Sequence, residues 1–145
     1  MNAPADPLFA NRVRDSFARQ RAMALIGATL ATVEPGLVEI KLPYRDDLTQ
    51  QKGFVHGGIL GMIADTACGY AAFSLMPADC SLVTVEYKMN ILSPGRTSLV
   101  ARGEVVKPGR TLTIARAEVY AQDGKHIATM LQTLMMLANT PDAVE

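Results

Sequence analysis

The stretch HGGILGMIADTACGYAAFSLM, His56 to Met76, carries a single charge between its ends, Asp65. Its length and its Ala, Leu, Ile and Met content predict a helix that stops at Pro77. A helix apolar nearly all round has to be enclosed by the rest of its domain. The chain, 145 residues and 15.6 kDa, suits one domain over residues 1–145 with a single core. It must therefore wrap most of its remaining residues around this one element.

Those residues read mainly as strands. Before the helix, residues 27–44 hold two strand-like runs about the turn Pro35-Gly36. Val38, Ile40 and Leu42 alternate there with Glu39 and Lys41, giving one buried face and one wet face. After it come four runs separated by Pro94-Gly95, Pro108-Gly109 and Asp123-Gly124. They predict a four-stranded meander. A helix over residues 1–23 precedes everything, with Asp6 as its cap and Pro7 in its first turn. Residues 139–145 read as a frayed tail. The order predicts an α+β fold, an antiparallel sheet curved around the central helix.

Composition excludes several functions. Formal net charge is zero and the pI about 6.7, so no basic footprint for nucleic acid is present. Cys68 and Cys80 have neither redox nor metal-ligand spacing, which predicts reduced thiols in a cytoplasmic protein. The two histidines, His56 and His126, are too few for a usual metal cluster. No apolar leader opens the chain, and Asp65 with its neighbouring glycines argues against a membrane span.

At about 100° per residue, Gly58, Gly61, Cys68, Gly69 and Ala72 fall within about 60° of Asp65, while Ile59, Ile63 and Tyr70 fall opposite. The helix is divided by size rather than polarity. Its bulky side suits a concave sheet, and its small side invites close approach by a backbone or a ligand. Glycine inside a helix costs about 1 kcal/mol against alanine, so Gly61 and Gly69 suggest that their space is used. Tight packing around a satisfied carboxylate is the alternative. At the helix start, His56-Gly57-Gly58 combines free N–H groups with room for a carbonyl to approach, which is how a backbone oxyanion site is built. Gly57 and Asp65, eight residues apart, are separated by about 12 Å along the axis. One carbonyl must lie about 3 Å from both its donor and its attacking group. One chain cannot supply both, whereas an antiparallel second copy supplies them twice.

The segments GFVHGGILGMIADTACGYAA, VTVEYKMNILSPG and VVKPGRTLTIARAEVYAQDGKHIATMLQTLMML resemble the hotdog-fold acyl-CoA thioesterases of the phenylacetate-degradation (PaaI-like) type, from about Ala24 to Leu137. The resemblance implies an antiparallel six-stranded sheet around a long central helix, with hydrolysis of acyl-S-CoA to a carboxylic acid and CoA. Asp65 matches the carboxylate that serves as nucleophile or general base, and Gly57 the glycine whose N–H polarises the thioester carbonyl from the partner protomer. Thr84 matches a Ser/Thr position that places water or the carboxylate. Gln50 stands where relatives often carry Asn, one methylene longer. His56 matches a structural histidine. The family's sites lie between protomers of a homodimer, often paired into a homotetramer. No metal or cofactor is implied, CoA being part of the substrate. A thiolate also leaves readily, so one carboxylate and one polarising N–H suffice.

Lys107 and Arg110, with Arg96, are candidates for the CoA phosphates, against the plainer reading of exposed turn charge. Cys68, one turn from Asp65, could line the pocket or simply pack. Met62, Tyr70 and Phe73 are expected to shape the acyl pocket. Two other functions fit the residues less well: a hotdog enoyl-CoA hydratase, which pairs a histidine with its carboxylate, and a non-catalytic acyl-CoA-binding module.

Overall fold

The structure is a computed structural model that describes residues 3–143. Helix α1 spans Phe9–Ala18 and α2 Arg21–Ile26. Strands β1, Thr29–Glu34, and β2, Leu37–Leu42, form a hairpin. A single 3-10 turn, Asp46–Leu48, leads to α3, Gly57–Phe73. Strands β3, Cys80–Ile91, β4, Leu99–Lys107, β5, Leu112–Ala121, and β6, His126–Ala138, follow. This is the expected hotdog fold: six antiparallel strands around the long helix α3, with helical segments at the N-terminal end.

Two expectations need correction. The predicted N-terminal helix is two helices, broken where Gln20 turns extended and then starts α2. Asp6 does not cap α1 directly. Its carboxylate accepts from Leu8 N–H in the preceding turn and pairs with Arg12 at 2.9 Å. The break lets α1 follow α3 while α2 turns towards β1, and Gly27, left-handed at φ 75°, ends α2. Arg12 fixes α1 to the end of α3, donating to the Phe73 and Met76 carbonyls with its guanidinium 4.1 Å from the centre of the Phe73 ring.

The second correction concerns the meander. Sheet order is β1-β2-β4-β5-β6-β3, so β4, β5 and β6 run consecutively but β3 pairs with β6 instead of β4. The connection around Pro94-Gly95 crosses the start of β6, where Leu92 and Ser93 N–H both donate to the Ile127 carbonyl. Leaving β3 at an edge aligns its long apolar run with the equally long β6, from Cys80 opposite Ala138 to Ile91 opposite Ala128.

The concave face explains how α3 fits. Its strands present Ala101, Gly103, Ala115, Ala117 and Ala128, all buried and small. A Cβ on Gly103 would lie 2.3 Å from the Ala67 carbonyl carbon, so β4 meets the helix backbone to backbone. Half of the small face of α3 is thus covered by its own sheet, and no second helix is needed there. The outer face carries the cross-strand ion pairs Glu39–Arg102 and Glu104–Arg116.

Candidate active site

The uncovered stripe of α3 is narrower than predicted and rotated from it: Gly58, Met62, Asp65, Thr66 and Gly69 stay accessible, while Gly61, Cys68 and Ala72 are buried. Asp65 faces β3 and β6. Its Oδ1 accepts from the Thr84 hydroxyl at 2.7 Å and, over a short contact, from the Gln132 side-chain amide. The same amide nitrogen donates to Thr84 Oγ1 at 2.9 Å. No donor among the described residues meets Asp65 Oδ2. The carboxylate opens into a groove of about 1090 Å³. Met62, Gly69, Phe73 and Leu82 line its apolar part, and Arg19, Arg21 and Asp142 its polar rim. Arg19 and Asp142 form an ion pair at 2.8 Å, so the tail expected to fray returns to the α1–α2 break; Val144 and Glu145 lie outside the described residues.

The other predicted residues gather at the N-terminal end of α3. His56 caps the helix with its ring: Nδ1 accepts from Gly58 N–H at 2.8 Å, so the neutral ring carries its proton on Nε2. A Cβ on Gly58 would lie 3.0 Å from that nitrogen. The Gly57 N–H meets no acceptor among the described residues. Gln50 lies in the loop leading to this end, and its side-chain oxygen accepts from Lys52 N–H. A second cavity of about 410 Å³ opens here, lined by Leu48, His56, Gly58 and Ile59. Met62 borders both cavities. The predicted site therefore falls into two sets on one chain: Asp65 with Thr84, and Gly57 with Gly58, His56 and Gln50, about 12 Å apart along the helix.

Three predicted binding residues take other positions. Cys68 is 0% exposed and lines neither cavity, a correction to its expected place in the pocket. Burial pushes its thiol up, with the charges of Asp65 and Glu118 adding to the effect. Helical spacing points it as much at β4 as at Asp65, and the approach of Gly103 decides for the core. Lys107 and Arg110 are exposed at the β4–β5 turn and line neither cavity. Arg96 lies over the Phe54 ring at 4.1 Å, and its neighbour Gly95 accepts from Val55 N–H, which puts this cation at the glycine end of α3. Of the residues expected to shape the acyl pocket, Met62, Tyr70 and Phe73 all line the groove.

Gln132 escaped the sequence reading. The signal was present: Ala128, Met130 and Leu134 mark the buried parity of the last strand, and Gln132 stands on that parity between Met130 and Leu134. Ser16 was missed as well; its hydroxyl shares a 3.0 Å hydrogen bond with Tyr70 at the far wall of the groove. Burial pushes the Tyr70 phenol up, and that bond opposes the shift. No group of three His, Cys, Asp or Glu among the described residues could hold a metal ion, and none of the described helices is long and apolar enough to cross a membrane.

A carboxylate on a groove and an open helix N-terminus stand on one helix inside a hotdog sheet, and comparison with known proteins places the chain in a family. Residues 52–128, just over half of the chain, match the Thioesterase superfamily, and the chain belongs to that family. A thioesterase family protein from Silicibacter pomeroyi has a similar structure, with 54% identity, a TM-score of 0.87 and coverage of 90% of this chain and 98% of that one. The PaaI protein of the Escherichia coli phenylacetic acid degradation operon shares the fold at 19% identity and TM-score 0.85, over 91% and 95% of the two chains. A candidate esterase from Halobacterium salinarum is 30% identical over 89 residues, 58% of this chain and 59% of its own length, less than two thirds of that relative. The chain thus has the hotdog fold and belongs to the Thioesterase superfamily.

Proposed function

We propose that the protein hydrolyses acyl-CoA thioesters at sites shared between two protomers. The observation that carries this reading is the separation just described. Asp65 opens on a groove large enough for an acyl group, and the unpartnered Gly57 N–H lies too far along the same helix to reach the same carbonyl. In this reading Asp65 of one protomer acts as nucleophile or as general base towards water, with Thr84 orienting it. Gly57 N–H of the other protomer polarises the carbonyl, and Gln50 and Gly58 flank that point. The C–S bond breaks, CoA leaves as a thiolate and takes a proton, and water supplies the acid's new oxygen. The acyl part lies against Met62, Gly69 and Phe73, and Arg96, at the glycine end of α3, meets the CoA phosphates.

The edge strand supports the dimer. Val85, Tyr87 and Ile91 on β3 are 52%, 47% and 53% exposed, and one side of the strand has no strand partner among the described residues. A long, apolar, unpaired edge is a site for strand addition, and a two-fold copy satisfies it symmetrically. A homodimer that pairs into a homotetramer in the cytoplasm completes the proposal.

The test is release of free thiol from aryl and straight-chain acyl-CoAs by the wild type and by Asp65→Asn. Turnover that falls about 10²–10⁴-fold in the variant, with binding retained, supports a catalytic carboxylate. Tight binding without turnover by the wild type overturns hydrolysis in favour of a binding module.

A further inference from the structure

Gln132 is wholly buried, lines neither cavity, and lies opposite Tyr87 on β3 and Ala115 on β5, where strand alternation calls for an apolar residue. The side-chain amide nitrogen of Gln132 lies within donating distance of both Asp65 Oδ1 and Thr84 Oγ1. Because the Thr84 oxygen accepts from Gln132, its own proton is the one shared with Asp65 across 2.7 Å. The direction of each proton in this triangle is therefore set by Gln132. The opposite orientation of the amide would aim Oε1 at a carboxylate. The observed one leaves Oε1 buried without a donor among the described residues. A residue kept only for volume would avoid that cost as methionine or leucine.

We propose that Gln132 is a positioning residue for hydrolysis: by filling Oδ1 of Asp65 with two oriented donors, it makes Oδ2 the oxygen that faces the groove and reacts. The inference rests on the thioesterase reading of Asp65. Donors to the charged form favour that form. The other charged or titratable groups about Asp65 are Cys68 and Tyr70 on α3, Tyr87 on β3, Glu118 on β5, Arg19 and Arg21 at the α1–α2 break, and Asp142 in the tail. All of them stay in place when Gln132 alone is changed.

The experiment follows the Asp65 side-chain carboxyl carbon by NMR across pH in the full-length protein, beside the pH profile of kcat/KM on the best acyl-CoA. In Gln132→Met, which keeps the volume and removes both donors, the Asp65 midpoint and the acid limb of the profile are expected to move up together by about one to two pH units, the equivalent of one charge-assisted hydrogen bond. KM on the plateau is expected to stay as in the wild type, since Gln132 does not line the groove. Gln132→Glu is the second variant should Gln132→Met not fold; its two carboxyls are expected to titrate as a coupled pair. An Asp65 midpoint unchanged in whichever variant folds overturns the inference. Turnover by the wild type, with a Gln132→Met acid limb coincident with it, also overturns the inference and leaves the thioesterase reading standing. Absence of wild-type turnover overturns that reading and the catalytic role of Gln132 with it.

Discussion

If each site joins Asp65 of one protomer to Gly57 of the other, two inactive variants should restore activity when mixed. Gly57→Pro removes the N–H with little disturbance to the helix. Gly57 is the first residue of α3, a position that suits proline, and its N–H makes no intrahelical bond. His56 already has ψ 138°, within the extended range a following proline favours. The one crowded contact is with Ile91 Cδ1, 2.9 Å from an added Cβ and at the end of a flexible side chain. Asp65→Asn is similarly mild, because the asparagine oxygen can keep both donors of Oδ1. Each variant alone should lose about 10²–10⁴ in turnover. After unfolding and joint refolding in equal amounts, half of the dimers are mixed. A mixed dimer has one site with both defects and one site with neither, built from Asp65 of one chain and Gly57 of the other. Recovered turnover should therefore be about one quarter of wild type, whether or not dimers pair further. The assay is thiol release from a saturating acyl-CoA, with each variant refolded alone as control. Recovery no greater than the average of the two controls would refute the shared site, since Asp65 and Gly57 would then not combine across protomers.

Gly69→Leu should fill the groove beside Leu82 Cδ1, 3.9 Å from an added Cβ, and lower kcat/KM for long acyl-CoAs more than tenfold while short ones are spared; a chain-length series checks this. Gly103→Ala should destabilise by at least about 1–3 kcal/mol, because the clashing atoms are backbone in both elements; thermal melting measures the loss. The buried Cys68 thiol gives a pH signature. Its folded value is raised, so between its ordinary value of 9.0 and the folded value the unfolded chain binds fewer protons. Stability from this group is complete below pH 9 and falls above it by up to about 1.4 kcal/mol per pH unit. Cys68→Ala should flatten the alkaline limb of stability against pH, measured by denaturant unfolding, relative to wild type.

How much of this was legible in the sequence depends on whether a feature is local or made by pairing. The central helix, the hairpin at Pro35-Gly36 and the β4–β5–β6 run follow from period and turn chemistry within a few residues. The position of β3 does not, because a seven-residue connection through Pro94-Gly95 can return a strand beside its neighbour or carry it across the sheet. The break after Arg19 is equally silent, since no glycine or proline marks it and the packing of α1 along α3 through Arg12 supplies the reason. On the helix, counting angles located Asp65 on a small-residue face but could not divide that face between sheet and groove. That division depends on Gly103, which lies on another element and has no side chain to announce its partner.

The same division accounts for the geometry of the site. The sheet covers Gly61, Cys68 and Ala72 and leaves the stripe from Gly58 to Gly69 open, so Asp65 and the helix N-terminus face the same side at different heights. Their spacing is set by the helical rise, and no rearrangement of loops can bring them within 3 Å of a shared atom. The exposed β3 edge flanks this stripe, since Thr84 on β3 holds Asp65, while Tyr87 Oη and Ile91 Cδ1 lie 3.4 and 2.9 Å from where Cβ atoms on Gly61 and Gly57 would stand. A copy that extends the sheet at β3 must therefore settle beside the stripe. In the proposed enzyme the strand addition that removes the apolar edge is also what assembles the site, which couples folding, dimerisation and turnover in one contact.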